Sequence, residues 1–131
     1  MLHHISVGVS EIARSARFYD ETLGALGYIR VWEDLRPGEL HQAVGYGLEE
    51  GNDKFTIKER FSKDLAPGQG FHLAFAAPSQ EAVEQWHRLG LANGGESRGA
   101  PRIWDEFGPK YFAAYLVDPD GWQLEAVFKL A

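Results

Sequence analysis

Hydrophobic and polar residues alternate along Leu2 to Val9: Ile5, Val7 and Val9 fall on one face, His4, Ser6 and Gly8 on the other. A period of two predicts a half-buried strand. Ile12, Ala16, Tyr19 and Leu23 then recur at steps of four, three and four, which marks one face of a helix. Ser10 is placed to cap its N-terminus, with Glu11 favourable in the first turn, and Gly24 and Gly27 are placed to end it. Strands are predicted at Tyr28–Trp32, Leu40–Gly47 and Lys54–Arg60, separated by the turns Arg36-Pro37-Gly38 and Gly51-Asn52-Asp53.

After a linker over residues 61–69, carrying Pro67-Gly68, the same order returns. Phe71, Leu73, Phe75 and Ala77 alternate with His72, Ala74 and Ala76. Pro78-Ser79 opens a second helix with Val83, Trp86 and Leu89 on its buried face, and Gly94-Gly95 stops it. A short strand follows near Glu96–Gly99, then a loop through Pro101 and Trp104, then strand Tyr111–Val117. Asp118-Pro119-Asp120-Gly121 is a turn by its chemistry: proline presets φ, aspartate bonds local backbone and glycine accepts positive φ. The last strand is Trp122–Phe128. A shift of 68 residues carries His4 onto His72 and Phe18 onto Trp86, so the chain reads as an internal repeat. The expected fold is α+β: two β-α-β-β-β modules in tandem, about 1–60 and 70–131, within one domain spanning 1–131. Each module is a curved sheet with its helix on the convex side, and together they enclose a cavity.

Composition narrows the function classes. At 131 residues, 44% hydrophobic and 24% charged, the chain can bury a core without disulfides. A net charge of −6 without a basic cluster argues against nucleic-acid or anionic-membrane binding. Without cysteine there is no thiolate nucleophile and no thiolate metal site. No signal peptide and no membrane-spanning apolar run are evident, so a cytoplasmic protein is expected.

Strand alternation then acquires chemical meaning, because the face opposite the helices receives His4, His72, Gln123 and Glu125. Two imidazoles and one carboxylate, His4, His72 and Glu125, can hold a divalent Fe, Mn, Ni, Co or Zn ion and leave positions open for substrate. Tyr111 and Tyr115 share a parity on a strand adjoining Glu125, so either can donate a proton or hydrogen bond to a substrate oxygen. Trp32, Tyr46, Trp104 and Phe107 are candidate walls for a flat substrate, and Arg102 a candidate partner for a carboxylate. His3 points away from His4, and His41 and His87 lack partners at ligand spacing; His87 is expected to be solvated.

The stretches His4-Ile5-Ser6-Val7-Gly8-Val9 with Phe18-Tyr19, Gly70-Phe71-His72-Leu73-Ala74-Phe75 and Asp118-Pro119-Asp120-Gly121-Trp122-Gln123-Leu124-Glu125 resemble the vicinal oxygen chelate superfamily. That superfamily includes glyoxalase I, extradiol dioxygenases, fosfomycin-resistance proteins and bleomycin-binding proteins. The resemblance implies metal ligands at His4, His72 and Glu125. Glyoxalase I has a fourth ligand, a carboxylate in the first module; the corresponding residue here is Thr56, Ile57 or Lys58, none of them a carboxylate, and Glu59 serves only after a two-residue slip. The resemblance therefore implies a small metal-dependent lyase, isomerase or dioxygenase acting on a substrate with adjacent oxygens. The alternative is a metal-free binding protein that sequesters an antibiotic or aromatic molecule. It also implies a homodimer, in which His4 can meet His72 and Glu125 of a partner chain.

Overall fold

The computed structural model describes residues 1–61 and 65–131, so residues 62–64 of the expected linker lie outside the described residues. The first module comprises β1 (Ile5–Val9), α1 (Ile12–Ala25), β2 (Ile29–Asp34), β3 (Ala43–Gly47) and β4 (Phe55–Glu59). The second comprises β5 (Leu73–Ala76), α2 (Gln80–Ala92), β6 (Glu96–Ile103), β7 (Tyr111–Val117) and β8 (Gln123–Lys129), with a short 3₁₀ turn at Asp105–Phe107. The predicted tandem of β-α-β-β-β units is therefore present.

The strands form two separate four-stranded sheets, ordered β1-β4-β3-β2 and β5-β8-β7-β6. In each, the first strand pairs parallel with the last and the remaining pairs are antiparallel. Among the described residues the eight strands close into no barrel, so the modules do not enclose the expected cavity between them. Each helix instead packs on its own sheet and on the other helix, which places a single core between the modules. Phe55 and Phe75 meet there edge to face, with ring centroids 5.4 Å apart. At β5 the opposite face is open: Leu73 and Phe75 are buried, Ala74 and Ala76 exposed, whereas β3 is buried throughout.

Both helices end alike. In α1 the Gly27 N–H donates to Gly24 O and the Tyr28 N–H to Leu23 O, with Gly27 at φ 94°. This paired bonding satisfies carbonyls that the helix leaves orphaned. In α2 the corresponding long bond runs from Gly95 N to Gly90 O, with Gly94 at φ 96°. Their starts differ. Ser79 caps α2, its hydroxyl accepting from the Ala82 N–H at 3.1 Å. Ser10 does not cap α1 as expected; the N-cap position is Glu11, without a side-chain bond. A carboxylate from across the sheet does that work: Glu59, at the end of β4, accepts from the Ile12 N–H at 3.1 Å.

Ser10 is freed to join the modules. Its hydroxyl donates to Asp120 at 2.6 Å and its N–H at 3.1 Å, and Arg14 reaches the same carboxylate at 3.2 Å. The Trp122 indole donates to Gly8 O at 2.7 Å, and the Tyr19 hydroxyl donates to buried Asp118 at 2.5 Å. The turn before β8 is thus bonded to β1 and α1 of the other module.

β6 runs four residues past the expected end at Gly99, to Ile103. Two register shifts, between Ser97 and Gly99 and between Gly99 and Arg102, let it carry Pro101.

A half-site on the open face of the second sheet

Glu125 lies in the middle of β8, opposite Ala74 on one side and Tyr115 on the other. Central placement seals it: only 1% of the residue is exposed. Its two oxygens have different partners. Tyr111 donates its hydroxyl to Oε2, and His72 Nε2 stands 3.0 Å from Oε1. His72 precedes β5 and is half exposed, so the imidazole reaches solvent while the carboxylate beneath it does not.

Both tyrosines remain protonated across neutral pH. Burial raises the Tyr111 phenol well above its ordinary value, and its bond to Glu125 raises it further. Burial, then the facing Glu125 carboxylate, push Tyr115 up to about 12. Such phenols serve as hydrogen-bond donors and not as bases.

Beside His72 lies a cavity of about 340 Å³, lined also by Gln123, Tyr115, Trp104, Phe107, Arg98 and Glu106. Trp104 is fixed as a wall. Its indole N–H donates to Ala113 O at 2.7 Å, its rim lies over Gly99, and its ring meets Tyr115 edge to face at 5.0 Å. A Cβ at Gly99 would fall 2.7 Å from the indole, so this strand position must be glycine for Trp104 to lie there.

Arg102 does not line the cavity. Its guanidinium stacks 3.4 Å from the Trp104 ring centre, donates to Ile103 O and approaches Glu106 at 3.6 Å. It supports the indole, and Arg98 takes the position at the cavity. The bulges in β6 explain why the sequence concealed this, since a register shift breaks the alternation that assigns a residue to a face. Glu106 was missed for a related reason: it lies in the 3₁₀ turn, where neither period applies.

On the first module the corresponding face is sparser. Trp32 is 40% exposed and lies across Gly45, whose Cβ would fall 2.3 Å from the indole nitrogen. Beside Gly45 is Thr56, paired with Ser6 on β1 as Glu125 is paired with Ala74 on β5. The strand register therefore makes Thr56 the counterpart of Glu125, ahead of Ile57 and Lys58. The Thr56 residue is 1% exposed, and among the described residues its hydroxyl has no hydrogen-bond partner.

Tyr46 is not a wall of either open face. It is buried on the helix side, packs near Tyr19 and Phe55, and donates its hydroxyl to Asp20 at 2.9 Å. Parity explains the correction: Tyr46 pairs with Phe55, whose neighbours at odd positions face the core. His87 is likewise less solvated than expected, since Nε2 lies 2.7 Å from the Ser97 hydroxyl and burial lowers its pKa.

His4 stands apart from the group at Glu125. It precedes β1, is exposed, and its Nδ1 lies 2.8 Å from His3 Nδ1. Among the described residues no three His, Asp or Glu side chains are grouped to hold a metal ion. One chain therefore brings together two of the three expected donors. Imidazole and carboxylate are a donor pair suited to a divalent transition metal, and the pair fits as one half of such a centre. No helix among the described residues is long and apolar enough to cross a membrane.

Comparison with known proteins follows the same lines. The family model described as Glyoxalase/Bleomycin resistance protein/Dioxygenase superfamily matches residues 1–126. The chain is similar to the crystal structure of a glyoxalase/bleomycin resistance protein from Albidiferax ferrireducens T118, at 30% identity, TM-score 0.78 and 99% coverage of both chains. A glyoxalase-related enzyme from Fulvimarina pelagi shares 19% identity at TM-score 0.70, covering 98% of this chain and 88% of that one. A glyoxalase I mutant from Zea mays shares 18% identity at TM-score 0.75, covering 97% of this chain and 46% of that one. These last two likenesses are of fold. No curated protein matches the sequence.

Proposed function

The chain belongs to the glyoxalase/bleomycin resistance protein/dioxygenase superfamily, and on that premise we propose that it is a small metal-dependent enzyme. Its substrate carries adjacent oxygens, and its chemistry is proton transfer of the isomerase or lyase kind ahead of dioxygenation. The observation that carries this reading is the buried Glu125 carboxylate, held by Tyr111 on one oxygen and facing on the other His72, which lines a cavity. A carboxyl group removed from water is costly unless its partners compensate it, and such placement is characteristic of reactive sites.

His72 and Glu125 of one chain would hold the metal with His4 of a second copy in a homodimer. The separation of His4 from the pair supports this arrangement. When bound there, a divalent metal supplies Lewis acidity toward the two substrate oxygens. Glu125 would be the group that accepts a proton from the substrate. Tyr115, kept protonated, donates a hydrogen bond to an oxygen that gains charge, while Tyr111 keeps its bond to Glu125. Trp104 and Phe107 exclude water from one side of the cavity. With Thr56 standing where a fourth carboxylate would be, the site keeps a single acidic donor.

The second reading, a metal-free protein that sequesters an aromatic molecule, draws on the same aromatic wall. Elemental analysis of untagged protein purified under metal-replete conditions separates the two. We expect stoichiometric metal in the wild type and its loss in His72→Ala. His4→Ala and Glu125→Ala chains, each metal-free alone, should regain metal when co-expressed. Wild-type protein without metal overturns the enzyme reading and leaves the binder.

A further inference from the structure

The cavity beside His72 carries more recognition chemistry than a metal requires. Its wall is flat and fixed: Trp104 is held by its bond to Ala113 O, by the bare backbone of Gly99 beneath it and by the stacked Arg102 guanidinium. A preorganised aromatic surface loses little freedom when filled, and it favours a ring over an alkyl chain.

The two arginines near it differ in what they have left to offer. Arg102 is engaged by the indole face, by Ile103 O and by Glu106. Arg98 lines the cavity, and its nearest acid, Glu96, stands 3.6 Å away with both side chains more than half exposed. An exposed pair of that kind is worth little, so the Arg98 fork can exchange it for a ligand carboxylate. At about 340 Å³ the cavity sits near the lower end of ligand sites, which accommodates one ring and not several.

Taking the proposed site as given, we infer that its substrate is a compact aromatic 2-oxo or 2-hydroxy acid. The ring lies against Trp104, the carboxylate meets Arg98, and the oxygen on the neighbouring carbon faces His72.

The test is calorimetric titration of the purified full-length protein, with and without chelator treatment, using three probes. Benzoylformate has ring, carboxylate and adjacent oxygen; pyruvate lacks the ring; 2-hydroxyacetophenone lacks the carboxylate. Benzoylformate should bind about tenfold more tightly than either of the others. Arg98→Gln should abolish its advantage over 2-hydroxyacetophenone and leave that neutral probe's affinity unchanged. Trp104→Leu should abolish its advantage over pyruvate. Circular dichroism confirms that both variants are folded. Equal affinities for the three probes, or a preference that survives Arg98→Gln, overturns the substrate class. Metal-replete protein that holds metal but shows no preference sinks the substrate class alone. Protein that never takes metal yet keeps the full preference sinks the enzyme reading and leaves the recognition standing.

Discussion

At Glu125 a carboxylate is sealed from water, and its tolerance of that position depends on two neighbours. Replacing Tyr111 with Phe strands Oε2 without a donor, and urea denaturation should show a loss of about 1–3 kcal/mol. An unchanged midpoint would mean that water reaches the oxygen and that the phenol is dispensable. The counterpart residue, Thr56, should respond in the opposite sense. Its buried hydroxyl lacks a partner among the described residues, so Thr56→Val should leave stability unchanged or raise it by about 1 kcal/mol. A loss larger than that reveals a bond to the hydroxyl and contradicts the assignment.

Among the elements, α1 shows how a cap can come from a distant strand. Glu59 accepts the Ile12 N–H and brings negative charge to the positive end of the helix. Glu59→Ala should cost about 0.5–2 kcal/mol, the range for loss of a capping side chain, while Ser10→Ala should disturb the contact with Asp120 instead. Equal and small effects on thermal midpoint would remove Glu59 from this role. The elements themselves were legible because their periods were clean: β1, α1, β5, α2 and β8 each carry an alternation or a helical face. Glu125 and His72 were legible for the same reason. The fourth ligand position was not, because a shift of 68 applied to Glu125 lands on Ile57. The modules differ by one residue: fifty separate Ser6 from Thr56, and fifty-one separate Ala74 from Glu125. Only hydrogen-bonded register reveals that difference. Tyr46 was misplaced because an aromatic side chain suits a core and a pocket equally, and Arg102 because a bulged strand has no constant parity.

For the molecule as a whole, pH should act through the phenols. All five tyrosines lie above their ordinary value, in each case with burial as the largest cause. Facing carboxylates add to the shift at Tyr19, Tyr46, Tyr111 and Tyr115. The folded chain therefore keeps protons that the unfolded chain releases near pH 10. The resulting stability is fully present below about pH 10 and is lost as pH climbs through about 12, the value at Tyr115. Absorbance at 295 nm, followed beside circular dichroism, should stay flat to about pH 10 and then rise together with unfolding. A phenol that ionises earlier in the folded protein would contradict this.

The fastening of Asp118 and Asp120 to Tyr19, Ser10 and Arg14 bears on how a second copy can contribute His4. Halves riveted to each other by side chains do not trade places readily, since exchange would have to break a buried phenol–carboxylate bond and reopen a common interior. Two intact subunits of the proposed homodimer would instead meet surface to surface, each lending a histidine to its neighbour while remaining whole. Association of that kind can be reversible, and occupancy of the shared centre would then rise and fall with protein concentration.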